Sequence, residues 1–285
     1  MFDRRTTFWI LLGPPLVWLS LFFAAPLLLM AAISFRADLS GELLRPWVPT
    51  FAQYAELLRV GAYWRLLGIS TMIALVIAFS ATTLAYPIAY YLVFRAGRRA
   101  GQYLVLLLIP FWTSYLLRVM AWKFMLGSGG VINSFLLYAG LIHQPLTALL
   151  YNRGAVVLTL VYVWIPFAAL PILAALQRID LSLFEAAEDL GAVPWRRFWR
   201  VTFPLSLPGV LAAFFMVFIP TVGEYVTPLL VGGSRGSLYG NIIQDFFTKA
   251  ANWPFGSALS MVMLAATLVL AGVALRLIDW RRLLQ

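Results

Sequence analysis

The stretch EAAEDLGAVPWRRFWRVTFP, residues 185–204, shows how this chain is organised, because it interrupts a sequence that is otherwise mostly apolar. Its first sixteen residues carry six charged side chains, Glu185, Glu188, Asp189, Arg196, Arg197 and Arg200. The 285-residue chain is 62% hydrophobic and 11% charged, whereas soluble domains are about 45–50% apolar and about 25% charged. The composition therefore predicts a membrane protein in which this polar block connects two spans.

Long apolar stretches on both sides of the polar block predict six membrane-spanning helices, since crossing a bilayer takes about 20 mainly apolar residues. They are residues 8–35, 66–94, 102–126, 154–176, 206–231 and 257–278. The first run is too long for a signal peptide, so we expect a retained anchor. We predict an all-α membrane protein with one transmembrane domain over residues 1–285, in which 177–205 is a connecting loop.

The distribution of arginine and lysine predicts the orientation in the membrane. If the N-terminus is cytoplasmic, the inner segments carry twelve of these residues and the longer outer segments carry seven. The positive-inside rule then places both termini and the loop 177–205 in the cytoplasm. This asymmetry also accounts for most of the net charge of +10, and we expect no nucleic-acid binding, since no basic soluble domain exists to perform it.

Local patterning predicts that the polar block contains a short helix. Ser182 and Glu185 have the S-x-x-E spacing of a capping box, and Gly191 suits a helix stop. Pro194 suits the first turn of a second short helix. One helical face carries small and apolar side chains, Leu183, Ala186, Ala187 and Leu190. The block is either a helix–turn–helix that lies outside the membrane and docks through this face, or a solvated linker.

The same spacing resembles the EAA loop of binding-protein-dependent ABC importer permeases. The matching residues are Glu185, Ala186, Ala187 and Gly191, followed by the V-T-F-P ending at 201–204. The family more often has Ile and Leu at positions 201 and 203. The resemblance implies the type I ABC importer permease fold, with these residues in a coupling helix that sits in a cleft of a cytoplasmic ATPase.

Further motifs look like the spermidine/putrescine branch of that family, in particular its first permease subunit. They are IPFWTSYLLRVMAWKFML (109–126), GVINSFLLYAGLI (130–142), VGEYVTPLLVGG (222–233) and NWPFGSA (252–258). The resemblance implies a bacterial inner-membrane subunit that imports a polyamine by alternating access. It also implies three kinds of partner, namely a second homologous permease subunit, two ATPase subunits and an extracytoplasmic solute-binding protein. The alternatives are a permease for another small solute, such as an amino-acid derivative or ferric iron, and an autonomous channel or secondary transporter.

The sequence offers no site for ATP or for a metal. A Walker A loop reads G-x-x-x-x-G-K-[ST], and neither Lys123 nor Lys249 has that context. We therefore expect ATP and magnesium on a separate ATPase subunit and no cofactor in this chain. With no cysteine and the single histidine His143, a zinc site is excluded. The spans hold no His/Asp/Glu cluster for catalysis, so an enzyme is not expected.

Glu224 is the one acidic residue inside a predicted span. An ionisable group within the membrane costs at least about 2.5–3.5 kcal/mol and usually faces a cavity or a partner. Pro220, Gly223 and Pro228 surround it and predict a broken helix, whose free backbone groups need a water-lined or protein-lined setting.

Three interpretations of Glu224 follow from its surroundings. It lines the path of a cationic solute together with aromatic Tyr225, it forms an ion pair with Arg118, or it reaches headgroups or water at the membrane interface. The first two are compatible with each other. Trp112 has two interpretations as well, because it either lines the pathway or belongs to an aromatic belt at the membrane interface.

Overall fold

The computed structural model describes residues 4–37 and 48–277. Within these ranges the regular elements are helices, and extended pairing is limited to an isolated antiparallel bridge between Arg36 and Pro49. Arg45, Arg281 and Arg282, which entered the orientation prediction, lie outside the described residues, as does position 278 at the end of the last predicted span.

The described chain contains thirteen α-helices and several short 3₁₀ and π segments. The α-helices are α1 (Arg4–Leu19), α2 (Ala25–Ile33), α3 (Ala52–Arg59), α4 (Gly61–Phe94), α5 (Ala100–Leu108), α6 (Tyr115–Leu126), α7 (Val131–Tyr138), α8 (Arg153–Leu176), α9 (Ser182–Asp189), α10 (Pro194–Arg197), α11 (Phe203–Val222), α12 (Tyr239–Thr248) and α13 (Trp253–Leu277). Short 3₁₀ helices cover Gly97–Arg99, Ile109–Trp112 and Thr147–Leu149. Segments of π-helix cover Ser20–Ala24, Phe198–Thr202 and Pro228–Gly232.

Two compact units divide the described chain. The first contains residues 4–37, 48–65 and 242–266, and the second contains 66–241 and 267–277. All the site residues discussed below, from the polar block to Glu224, lie in the second unit. That one transmembrane domain covers residues 1–285 stays a prediction.

Five continuous helical stretches are long and apolar enough to cross a membrane, Phe8–Ile33, Gly61–Phe94, Arg153–Leu176, Pro194–Val222 and Trp253–Arg276. A sixth results if the bent pair Gly97–Trp112 and Tyr115–Tyr138 is counted as one span. Counted in this way, the prediction of an all-α membrane protein with six spans is confirmed.

The third predicted span, 102–126, is not a straight helix. Its two halves meet at 88°, and the backbone between them is extended at Thr113, with φ −88° and ψ 151°. Pro110 precedes the bend inside a 3₁₀ turn, and it has no backbone N–H to continue an α-helical ladder. The depth of a residue in the membrane therefore cannot be counted along one straight helix beyond this bend. This applies to Arg118, which lies in the second half.

The fifth span begins earlier and ends earlier than predicted. Its helix runs without a gap from Pro194 to Val222, so the second short helix of the polar block is the first turn of this span. The turn directly before Pro204, which has no N–H to donate, is π-helical. Gly223 and Glu224 are not helical, which confirms the break predicted around Glu224.

Small residues let the helices of the second unit approach closely. Gly209 of α11 lies so near α8 that an added Cβ would overlap Ala175 and the carbonyl oxygen of Pro171. The side of α4 that is completely buried carries alanines at positions 74, 78, 81, 85 and 89. On the same helix the Tyr86 hydroxyl lies 2.8 Å from the Ser206 hydroxyl of α11. Close packing at small residues is typical of helices that associate in lipid.

Candidate functional site

The polar block begins with α9, but the predicted capping box does not form. Ser182 is already the first helical residue, and its side chain does not cap the helix. The backbone N–H of Ser182 instead donates to Asp180 Oδ1 at 2.9 Å, because an aspartate two residues upstream can bend back in an Asx turn. The pKa of the Asp180 carboxyl is held below its ordinary value, mainly by the hydrogen bond from the Ser182 backbone and to a lesser extent by one from the Ser182 side chain.

The C-terminus of α9 is closed at Gly191, which confirms the predicted helix stop. Gly191 has a φ of +74°, a left-handed conformation that glycine adopts without steric cost. Its N–H donates to the Glu188 carbonyl at 2.8 Å, and the Ala192 N–H donates to the Ala187 carbonyl at 2.9 Å. These two bonds form a Schellman motif. An added Cβ at Gly191 would meet no atom within 4 Å, so the conformation, and not crowding, requires glycine.

The face of α9 that carries the alanines is uncovered in this chain. Leu183 is 44% exposed and Leu190 is 87% exposed, Ala186 is exposed, and Ala187 is half-buried. Exposing apolar side chains to water is unfavourable, and an exposed apolar patch is typical of a contact with another protein. This face is therefore available for binding a partner. Whether these residues and Gly191 couple to an ATPase stays a prediction.

A second side of α9 is anchored by Phe184, which sequence reasoning missed. The Phe184 ring is buried and lies 5.3 Å from the ring of Phe94 at the end of α4. The Arg197 guanidinium lies 4.9 Å from the Phe184 ring centre and forms an ion pair with Glu188. The available signal was a large apolar side chain that lies off the alanine face.

Aromatic rings connect the polar block to α4. Phe198 lies 5.7 Å from Tyr86 and 6.1 Å from Tyr90, both on α4. These three side chains line an apolar cavity of about 620 Å³ together with Trp199 and Phe203. The polar block therefore packs on α4 through Phe198.

The break in the fifth span is organised around the Glu224 side chain. Glu224 is half-buried, and its Oε1 accepts the backbone N–H of Thr227 at 2.9 Å. The Thr227 hydroxyl lies 2.6 Å from the Tyr115 hydroxyl of α6, so Thr227 joins the break of the fifth span to α6. Sequence reasoning missed Tyr115 and Thr227, although each stands directly after an interruption of a predicted span.

The free backbone groups at this break have protein partners. The Tyr225 carbonyl oxygen accepts a hydrogen bond of 2.8 Å from Asn241 Nδ2. Gly240 lies so close that an added Cβ would be 2.7 Å from the Gly223 carbonyl oxygen and 2.9 Å from that of Glu224. Irregular backbone at membrane depth is tolerated where protein or a water-lined cavity satisfies it, and α12 provides that setting here.

The structure does not form the ion pair considered between Arg118 and Glu224. In the part of the chain that the structure describes, these side chains do not form a salt bridge. The Arg118 guanidinium instead lies 4.8 Å from the Phe111 ring centre and 5.9 Å from that of Tyr115. Its Nε is buried and has no hydrogen-bond partner.

The other proposed pathway residues are more exposed than Glu224. Tyr225 is 42% exposed and Trp112 is 79% exposed. Within residues 4–37 and 48–277, no hydrogen bond or ring contact joins Trp112 to Glu224 or Tyr225. Their roles in a solute path stay predictions. His143 is exposed, and no group of three His, Cys, Asp or Glu side chains in the described ranges could hold a metal ion.

Comparison with known proteins agrees with this architecture. Residues 5–282 match the family model described as "Binding-protein-dependent transport system inner membrane component". The chain is 34% identical over 264 residues to the spermidine/putrescine transport system permease protein PotB of Salmonella typhimurium (strain SL1344), which covers 93% of this chain and 89% of that protein. The expected similarity to the spermidine/putrescine branch is therefore confirmed.

Two solved structures share the fold. One is a bacterial ABC transporter involved in the import of the acidic polysaccharide alginate, with a TM-score of 0.75, 15% identity and coverage of 96% of this chain and 95% of that chain. The other is a bacterial alginate ABC transporter in complex with an alginate pentasaccharide-bound periplasmic protein, with a TM-score of 0.70, 17% identity and coverage of 95% and 93%. The predicted type I ABC importer permease fold is confirmed.

Proposed function

We propose, from the premise that this chain belongs to the family of binding-protein-dependent transport system inner membrane components, that its cargo is a polyamine. The chain is a membrane-spanning permease subunit of an ABC importer, and thus a transport subunit and not an enzyme. The observation that carries the cargo assignment is the half-buried Glu224 carboxylate at the break of the fifth span. PotB, which resembles this chain over 93% of its length, is by its name a permease for spermidine and putrescine.

The electrostatics of the break favour a cation. The hydrogen bond that Glu224 receives comes from the Thr227 N–H, which is a neutral donor. In the described part of the chain no arginine or lysine forms a salt bridge with it. A polyamine is a flexible chain of ammonium groups, so a carboxylate without a salt-bridge partner next to aromatic Tyr225 is suitable lining for its path.

The uncovered face of α9 supports coupling to an ATPase. We assign Glu185, Ala186, Ala187 and Gly191 to a coupling helix that docks in a cleft of a cytoplasmic ATPase subunit. An autonomous channel or secondary transporter has no need for such a helix. The complete importer in this proposal has two ATPase subunits that bind ATP and magnesium, a second homologous permease subunit and an extracytoplasmic solute-binding protein. Both termini and α9 then face the cytoplasm, as the positive-inside rule requires.

Reconstitution of the importer in proteoliposomes tests the cargo. The chain is purified with its partner ATPase, second permease and binding protein, and uptake is measured with labelled putrescine, spermidine, ferric iron and a zwitterionic amino-acid derivative. We expect uptake of a polyamine that requires both ATP and the binding protein. Transport of one of the other solutes without any polyamine uptake would reject the assignment, and uptake without ATP would indicate a secondary transporter.

A further inference from the structure

The apolar cavity of about 620 Å³ that begins at the polar block runs along two spans, α4 and α11. Its lining extends on α4 from Phe79 to Tyr90 and on α11 from Phe203 to Phe214, eleven residues further along the helix in each case. Eleven residues of helix rise about 16 Å. The hydrocarbon core of a bilayer is about 30 Å thick, so the cavity has the depth of one leaflet.

The shape of the cavity suits a thin and flexible apolar ligand. About 620 Å³ spread over about 16 Å of helix gives a mean cross-section of about 40 Å². An α-helix is at least about 10 Å wide and takes up about 80 Å², so a helix of another subunit does not fit inside. Phe79 and Trp199 line the cavity and are 68% and 47% exposed, so it opens to the surface of the chain. A lipid acyl chain has both the length and the width that this space requires.

Polar and cationic groups lie at the end of the cavity that meets the polar block. Tyr90 lines this end beside Phe198, and within the described ranges its hydroxyl makes no hydrogen bond. Arg200 directly follows Trp199, and Arg196 lies one helical turn before Arg200. Both arginines are exposed, and neither forms a salt bridge with residues 4–37 or 48–277.

Arg197, which lies between these two arginines in the sequence, has a different environment. It is paired with Glu188 and packs on the ring of Phe184, so it holds the polar block together. Arg196 and Arg200 have no such role among the described residues. They leave two positive charges next to a cavity that is apolar inside.

We propose that this cavity binds an anionic phospholipid, with one acyl chain between α4 and α11 and the phosphate at Arg196 and Arg200. Basic pockets between spans bind anionic headgroups, and a guanidinium offers a phosphate a planar fork of donors. Trp195 and Trp199 on the same segment are exposed, and tryptophan is enriched where a span meets the headgroups. The inference goes beyond the proposed function, because it requires that the chain lies in a membrane and does not depend on the cargo.

Titration of the delipidated importer in detergent tests the headgroup contact. The complete complex is titrated with dioleoyl phosphatidylglycerol or dioleoyl phosphatidylcholine, which carry the same acyl chains, and bound lipid is counted by native mass spectrometry. We expect the phosphatidylglycerol to bind about 30-fold more tightly, since two arginines near a headgroup contribute about fivefold each. Combining Arg196→Gln with Arg200→Gln should abolish this preference. Arg98→Gln with Arg99→Gln is the matched control, because it removes an equal charge from exposed residues beyond the same end of α4, and it should keep the preference.

Filling the cavity tests the acyl-chain contact. Thr83 lines the cavity and is exposed, so Thr83→Trp places a bulky ring in the space of the chain and should weaken the binding of both lipids about tenfold or more. Leu84 is also exposed but does not line the cavity, so Leu84→Trp should bind both lipids as the wild type does. If Thr83→Trp does not assemble, the exposed arginine pair decides the matter by itself.

Several results would overturn the inference. They are equal affinity of the wild type for the two lipids, an unchanged preference after both arginines are replaced, unchanged binding in an assembled Thr83→Trp complex, and an equal loss in either control. Failure to bind either lipid in the complete importer would also overturn it, because the second permease subunit then covers the cavity. Failure of the proposed function is a separate result, since an importer that takes up no polyamine still shows or lacks this lipid preference.

Discussion

The conformation of Gly191 allows the coupling hypothesis to be tested by a graded perturbation. Its φ of +74° is left-handed, and a non-glycine residue pays about 1–2 kcal/mol in that region. Because nothing lies within 4 Å of an added Cβ, this conformational cost is the whole expected effect of Gly191→Ala, to which Gly191→Leu adds a bulky side chain at the proposed docking end of the helix. This cost corresponds to a change of about 5- to 30-fold in the equilibrium between the closed and the frayed end of α9, in favour of the frayed end. Gly191→Asn should cost less, because asparagine tolerates the same conformation.

The assay is solute uptake per ATP hydrolysed by the reconstituted complex. We expect membrane insertion to be normal in each variant, and the uptake ratio to fall in the order Asn, Ala, Leu. Gly140 provides the control, since it has a φ of +67° and open space around it and closes α7 with an equivalent pair of backbone bonds. If Gly191→Leu keeps the wild-type ratio, or if Gly140→Leu loses as much, the docking role of this helix end is refuted.

Three further predictions follow from the same geometry. Because Arg118 and Glu224 are not paired, Arg118→Gln should not restore uptake in Glu224→Gln; rescue in the double mutant would show a pair that forms in another state. Asp180 has a folded-state pKa below its unfolded value, so its support of α9 is present at neutral pH and is lost as pH falls through the folded pKa; amide exchange at the start of α9 should show this loss in the wild type and not in Asp180→Asn. A cysteine at Ala192 should react only with reagents that reach the cytoplasm, and one at Ser237 only with external reagents; the reverse labelling would overturn the orientation.

Local features of the fold were accessible from the sequence where one residue type determines the backbone. Gly191 stops α9 because of its φ, and Gly223 with its neighbouring prolines interrupts the fifth span. The bend after Pro110 was not predicted, because a proline inside a span produces anything from a mild kink to the 88° turn found here. The predicted capping box does not form, because the Asp180 side chain, and not that of Ser182, accepts a backbone N–H at the start of α9.

The candidate site was only partly accessible, because its key contacts join distant parts of the chain. Glu224 stood out by its charge, yet Tyr115, which contacts the break through the Thr227 hydroxyl, is one of 12 tyrosines and has no local signal that links it to Thr227. Similarly, Phe184 anchors α9 through Phe94, a contact that depends on where α4 ends. The structure also places the Arg118 guanidinium against the rings of Phe111 and Tyr115, which no local pattern in the sequence indicates.

The claim that Glu224 lines the path of a cationic solute is tested most directly by ATP-dependent uptake of labelled putrescine in proteoliposomes that contain wild-type or Glu224→Gln importer. The substitution removes the charge and keeps the shape of the side chain. The account predicts that putrescine uptake falls strongly while complex yield and the ATPase rate stimulated by loaded binding protein remain normal. Putrescine uptake at the wild-type rate in Glu224→Gln would contradict it.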